Sequence, residues 1–175
     1  MKKRCVYIAT VLILLFTSFV SAQEAIFAAA RNNNTLLMNE LLLNNADINS
    51  IDERGSTALI IACYNDNYEV AKLLLEKGAN PNCQDKMGNT ALMGVCFKRL
   101  DKMVQLLLEY KTDIDQQNFN GANALIFAAT FGADTIIKIL IDKGANLKIR
   151  DNYNKTALDY AIIQENQEIV KLLMQ

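Results

Sequence analysis

Apolar pairs punctuate this chain at a constant interval. Ala58-Leu59, Ala91-Leu92, Ala124-Leu125 and Ala157-Leu158 stand 33 residues apart, and Ala25-Ile26 keeps the same phase. A second apolar pair follows each of them: Leu41-Leu42, Leu74-Leu75, Leu107-Leu108, Leu140-Ile141 and Leu173-Met174. Within one interval the spacing is helical. Leu59, Ala62 and Cys63 recur at i, i+3 and i+4, and Val70, Leu74 and Leu75 resume helical spacing after the polar break Asn65-Asp66-Asn67. Each interval therefore predicts two short helices, each with one apolar face. The residue before each Ala-Leu is Thr57, Thr90, Asn123 or Thr156, whose side-chain oxygen can accept an orphan N–H of the first helical turn. Gly78 and Gly144 fit the end of the second helix, because the left-handed conformation costs glycine nothing. Lys111 holds that place in the third interval. A non-glycine residue in the left-handed form would cost about 1 kcal/mol, which predicts a looser junction there.

Polar markers keep the same register. Asp52, Asp85, Asn118 and Asp151 each precede Gly55, Gly88, Gly121 or Asn154 by three residues. A carboxylate that recurs with a repeat is more economically a turn device, bonding nearby backbone N–H groups, than a catalytic acid. Residues 79–84 and their equivalents read as turns joining copies. The pattern divides the chain into copies 23–51 (degenerate), 52–84, 85–117, 118–150 and 151–175. Helix pairs this short cannot bury their apolar faces alone, so the expected fold is an all-α solenoid of about five stacked helix-turn-helix repeats. Its seams account for most of the 51% apolar composition.

Residues 1–22 stand outside this register. Lys2, Lys3 and Arg4 precede an apolar run from Val6 to Val20, which ends in Ser21-Ala22, and the segment holds no acidic residue. This is the pattern of a secretory signal peptide cleaved after Ala22. The run is shorter than the roughly 20 residues of a spanning helix, so a periplasmic or secreted mature protein without a stable membrane span is expected. An uncleaved N-terminal anchor is the alternative. Cys5 precedes the apolar run, where it gives no support to a lipoprotein signal. Cleavage removes three cations and leaves 15 − 19 = −4 on residues 23–175. This mildly acidic balance lacks the broad positive field of a nucleic-acid binder.

The unit of Asp-x-x-Gly-x-Thr-Ala-Leu, late Leu-Leu and Gly-Ala-Asn, 33 residues long, resembles the ankyrin repeat in an exported, bacterial-type chain. The resemblance covers essentially everything after Ala22. It departs from the family's Thr-Pro-Leu-His: the proline position holds Ala58, Ala91, Ala124 and Ala157, and the histidine position holds Ile60, Met93, Ile126 and Asp159. The Thr–His hydrogen bonds that brace family members therefore have no counterpart. Asp159 falls in the last copy, where a polar outer face suits a terminal cap. The resemblance implies binding of another protein on a concave surface, with contacts from turn tips and inner helices. Those positions here are Arg54, Tyr64 and Asn65; Lys86, Met87, Phe97 and Lys98; Phe119, Thr130 and Phe131; and Tyr153 and Lys155. Five are aromatic, half of the ten aromatics after Ala22. Rings interleaved with Lys and Arg are the composition of interface anchors, although the same rings would also serve as extensions of the core. Phe97, Phe131 and Tyr64 are the strongest anchor candidates.

Other chemistry is sparse. The chain has no histidine, which removes Ser-His-Asp and Cys-His systems and imidazole-ligated metals. There is no Gly-rich phosphate loop and no C-x-x-C pair, so no cofactor is expected. Cys63 and Cys96 occupy equivalent sites 33 apart. Packed helices sit roughly 8–10 Å apart, beyond disulfide reach, so both read as small buried residues. Cys83 falls in a turn and is the one cysteine with a conceivable redox role. Lys98, Arg99 and Lys102 form a small basic patch that a solvated helix face explains. The functional expectation is a non-catalytic binding module, acting either as an adaptor or as an immunity-type or host-directed inhibitor of a secreted enzyme.

Overall fold

The computed structural model describes residues 23–174. The signal-peptide assignment falls on residues 1–22 and lies outside that range. Helix α1 covers 23–31. It is followed by α2 (Thr35–Leu43), α3 (Ala58–Tyr64), α4 (Tyr68–Glu76), α5 (Ala91–Lys98), α6 (Asp101–Leu108), α7 (Ala124–Thr130), α8 (Asp134–Asp142), α9 (Ala157–Ile163) and α10 (Gln167–Leu173). No helix among the described residues is long and apolar enough to cross a membrane.

The capping residues act as the sequence requires. Thr57, Thr90, Asn123 and Thr156 are N-caps whose side chains accept from the backbone N–H of Ile60, Met93, Ile126 and Asp159. The substituted histidine positions thus still receive a cap. In the last copy Asp159 goes further. Its carboxylate accepts from the Thr156 N–H at 2.7 Å and the Thr156 hydroxyl at 2.8 Å, closing a capping box. Asp159 is thus a local brace for α9 as well as a polar residue in a terminal repeat.

The helices stack in two rows. Inner helices α3, α5, α7 and α9 pack in series, and α2, α4, α6, α8 and α10 form the second row behind them. At the seams of the inner row, Ala30, Cys63, Cys96 and Ala129 share one phase and are all fully buried. Their small volume lets successive helices approach closely. Cys63 and Cys96 are free thiols. Leu74, Leu107 and Leu140 fill the equivalent place in the second row. Ile162, at the seam phase in the last copy, is 56% exposed, with no described residue stacked on it.

Backbone turns obey the register more strictly than side chains do. The inner helices end at Asn33, Asp66, Arg99, Gly132 and Glu165, every one with positive φ. In each case the next residue's N–H reaches back into the helix, as Asn67 does to the Ala62 carbonyl (2.9 Å) and Leu100 to that of Val95 (3.0 Å). Second-row helices α4 and α8 end likewise at Gly78 and Gly144, where the N–H groups of Ala79 and Ala145 reach the Leu74 and Leu140 carbonyls at 2.9 Å. Helix α6 differs. It stops one residue sooner and Lys111 stays out of the left-handed region. The Thr112 hydroxyl donates to the Leu107 carbonyl at 2.6 Å instead. Lys111 therefore bears no left-handed strain, and a side-chain bond closes the junction expected to be loose.

Candidate functional site

The turn tips are built by the recurring acid. Asp52 Oδ1 accepts from the N–H of Arg54 (2.8 Å) and Ser56 (2.9 Å). Asp85, Asn118 and Asp151 repeat the arrangement with Met87 and Asn89, Asn120 and Ala122, and Tyr153 and Lys155. Successive tips are then laced together: Lys86 N–H donates to the Arg54 carbonyl (3.0 Å), Phe119 to Met87 (3.2 Å) and Asn152 to Asn120 (2.9 Å). The glycine of each turn makes this approach possible. At Gly88, with φ +79, a Cβ would lie 2.6 Å from the Phe119 backbone nitrogen. Arg54, Lys86, Met87, Phe119 and Tyr153 are all exposed, so they project from an ordered backbone strip.

The C-terminal ends of the inner helices carry a second strip. Tyr64 and Phe97 stack with ring centroids 6.2 Å apart, and Phe97 meets Phe131 edge-on at 4.6 Å. Phe127, half-buried on α7, extends the row with its ring 6.4 Å from Phe131. Lys98 holds its ammonium 5.0 Å above the Tyr64 ring, a cation–π contact. Gly94 lies beneath the Tyr64 ring, where a Cβ would make an ordinary van der Waals contact at 3.5 Å. Tyr64, Phe97 and Phe131 remain 45%, 37% and 42% exposed. The rings thus pack against one another across three repeats while each keeps a face in water. The two strips meet at an open groove whose lining includes Arg54, Tyr64, Lys86 and Met87.

All nine sequence candidates are therefore exposed, and they fall into these two bands: Arg54, Lys86, Met87, Phe119 and Tyr153 at the tips, and Tyr64, Phe97, Lys98 and Phe131 at the helix ends. Of the residues named with them, Asn65 is exposed, whereas Thr130 turns its hydroxyl to the Ile126 carbonyl (2.8 Å) and Lys155 is half-buried. The sequence reading omitted Phe127. It also omitted a polar ladder beneath the tips, in which Gln84 donates to the carbonyls of Gly88 (2.6 Å) and Gln117 (3.0 Å), and Gln117 to those of Gly121 and Arg150. Gln84 and Gln117 are 33 apart, so the signal was present in the register.

Reactive groups are subdued. Burial pushes the thiols of Cys63 and Cys96 far up. Burial also raises Cys83, and the nearby Asp47 carboxylate raises it further. These are the reverse of the conditions that make a nucleophilic thiolate. Among the described residues no cluster of three or more His, Cys, Asp or Glu side chains is arranged to hold a metal.

Stacked helix pairs, laced turn tips and a continuous, partly exposed aromatic row define a repeat solenoid with an extended exposed surface. The family model for ankyrin repeats (3 copies) matches residues 26–118 and again 96–175, and the chain belongs to that family. Ankyrin repeats are generally protein–protein interaction modules. A search of curated proteins returns no match.

Proposed function

We propose that this chain is an exported protein that captures another protein on its concave surface and performs no catalytic step of its own. The observation that carries the reading is the aromatic row. Phe97 lies between Tyr64 and Phe131, each ring from a different repeat and each more than a third exposed. A ring needed only for the seam would bury both faces, as Leu59, Leu92 and Leu125 bury their whole side chains. Large, rigid, half-exposed rings on ordered backbone are the composition of binding hot spots. Export rests on the basic, apolar and small-residue order of residues 1–22, and it places the mature chain in the periplasm or outside the cell.

The test pairs Phe97→Ser with Phe131→Ser. Both side chains sit at helix ends and are partly in water, so helical circular dichroism is expected to persist while capture of the wild-type partner from a cell-envelope extract is lost. Undiminished capture by the double variant would refute the surface assignment. Amino-terminal sequencing of the protein recovered from the periplasm checks export independently, with Gln23 expected as the first residue.

A further inference from the structure

We infer that the segment held by this surface is acidic as well as apolar: a stretch of protein whose leucine- or aromatic-type side chains meet the rings while its Asp and Glu carboxylates meet Arg54, Lys86 and Lys98. The inference rests on the proposal above that Tyr64, Phe97 and Phe131 form the contact surface.

Charge is distributed unevenly over the molecule. Residues 23–175 carry 15 cations against 19 anions. Yet helices α3 and α7 contain no charged residue, and the one charge of α5 is Lys98, which stands over the Tyr64 ring. The acids of the second row, among them Glu69, Glu76 and Asp142, belong to α4 and α8. Acids that do reach the tips are already committed. Asp52, Asp85 and Asp151 each hold two backbone N–H groups of their own turn, and Asp52 also lies 3.5 Å from Arg31. Asp159 caps α9 and sits 3.8 Å from Arg150. Glu24 and Glu53, in the first and second copies, are the exposed carboxylates left beside the groove. The third copy contributes Lys86 and Lys98 to the surface, and the exposed acids at or beside the matching positions of the second copy are Glu53 and Asp66.

The cations are also unspent. The four ion pairs among the described residues use Arg31, Lys72, Arg150 and Lys171, never Arg54, Lys86 or Lys98. Exposed cations beside apolar rings, none of them in an ion pair, select a ligand that supplies carboxylates along with apolar side chains, and they reject a basic one. Rings and cations together also suit single-stranded nucleic acid. The net −4 of residues 23–175 repels a strand charged at every nucleotide more than a peptide whose carboxylates are interspersed with apolar side chains, which favours the protein ligand.

The experiment is fluorescence anisotropy on the full chain with four labelled probes: three peptides of equal length, composed of Leu with Asp and Glu, Leu with Lys, and Ser with Asp and Glu, and an oligothymidine. The Leu–acidic peptide is expected to bind, and to weaken about tenfold from low to physiological salt. In the exposed-residue variant Lys86→Glu with Lys98→Glu, that peptide is expected to lose tenfold or more while the Leu–Lys peptide gains. Equal or tighter binding of the Leu–Lys peptide or the oligothymidine by the wild type overturns the inference. So does indifference of the Leu–acidic peptide to charge reversal, or the absence of binding by any probe. The ring substitutions separate the two levels. A Leu–Lys peptide that binds and needs Phe97 and Phe131 leaves the surface standing and removes the acidic ligand. A Leu–acidic peptide indifferent to both rings removes the surface itself.

Discussion

The junction after α6 allows a stringent test of how this solenoid closes a helix without glycine. The perturbation is Thr112→Val, which keeps the branched shape and deletes the hydroxyl. Two facts set the magnitude. The hydroxyl bond to the Leu107 carbonyl is short, at 2.6 Å, and Leu107 is fully buried. However, the same carbonyl also accepts from the Tyr110 N–H at 3.1 Å, so the substitution removes one of two partners rather than orphaning the oxygen. The expected loss is therefore that of one neutral hydrogen bond, about 1 kcal/mol, and not the roughly 1–3 kcal/mol of an unpaired buried acceptor. Lys111→Gly then supplies the missing option. With glycine at 111 the chain can adopt the left-handed turn of Gly78 and Gly144, and the N–H of residue 112 can reach Leu107 as those of Ala79 and Ala145 reach their carbonyls. Alone, Lys111→Gly exchanges one cap for another and changes stability by about 0.5 kcal/mol or less, given the entropy glycine adds to the unfolded chain. In the Thr112→Val background it should return about half of the loss or more. The assay is urea unfolding followed by circular dichroism on all four members of the cycle, with coincident probes confirming one cooperative transition, since repeat arrays can melt in parts. A Thr112→Val loss below about 0.3 kcal/mol, or two changes that simply add within that margin, would refute the account of the hydroxyl as a substitute cap.

Three further outcomes follow from the turns and caps. Asn123, at a position that is Thr in three other copies, is 1% exposed and its Nδ2 has no hydrogen-bond partner; Asn123→Thr keeps the acceptor that caps Ile126 and should raise stability by about 1 kcal/mol in the same urea assay. Gly88→Ala and Gly78→Ala separate backbone strain from packing, because both have positive φ but only Gly88 has a neighbour in the way. Gly78→Ala should cost about 1 kcal/mol, and Gly88→Ala at least about 1 kcal/mol more as the Phe119 tip is displaced. The last repeat should be sensitive to pH on both sides. Burial pushes the Asp151 carboxyl up, but the Tyr160 hydroxyl and the N–H groups of Lys155 and Tyr153 outweigh it and hold it below the ordinary 3.8, while the carboxylate raises Tyr160 from 10.0 to about 12. The depressed acid stabilises above 3.8 and loses that contribution as pH falls through its folded value; the raised phenol stabilises below 10.0 and loses its contribution as pH rises towards 12. Tyr160→Phe should flatten the alkaline decline in the urea midpoint, and an unchanged profile would contradict the pairing.

The register of this fold was legible because it is written in side chains that do one job. Ala-Leu after a capping Thr or Asn opens a helix against a neighbour, and four such openings at equal spacing leave little freedom for the rest. Where the job belongs to the backbone, the sequence is silent. Asn33, Asp66, Arg99, Gly132 and Glu165 share a left-handed turn, yet no property common to those five side chains announces it. The turn is imposed by the N–H that follows, as when Leu100 reaches the Val95 carbonyl, and residues of every charge are carried along at a cost of about 1 kcal/mol each unless they are glycine. The candidate surface shows the same division. Tyr64 and Phe97 are 33 apart and could be paired on paper, but the strict register pairs Phe97 with Thr130, not with Phe131. Phe131 stands one residue later in register, at the place of Asn65 and Lys98, just before the left-handed residue Gly132 that matches Asp66 and Arg99. From there its ring meets Phe97 edge-on, and Phe127, one helical turn earlier, lies behind it. The aromatic row is therefore a product of position within the closing turn as much as of composition. Exchanging Thr130 with Phe131 moves the ring into strict register and should alter the near-ultraviolet circular dichroism of the row even with every aromatic retained.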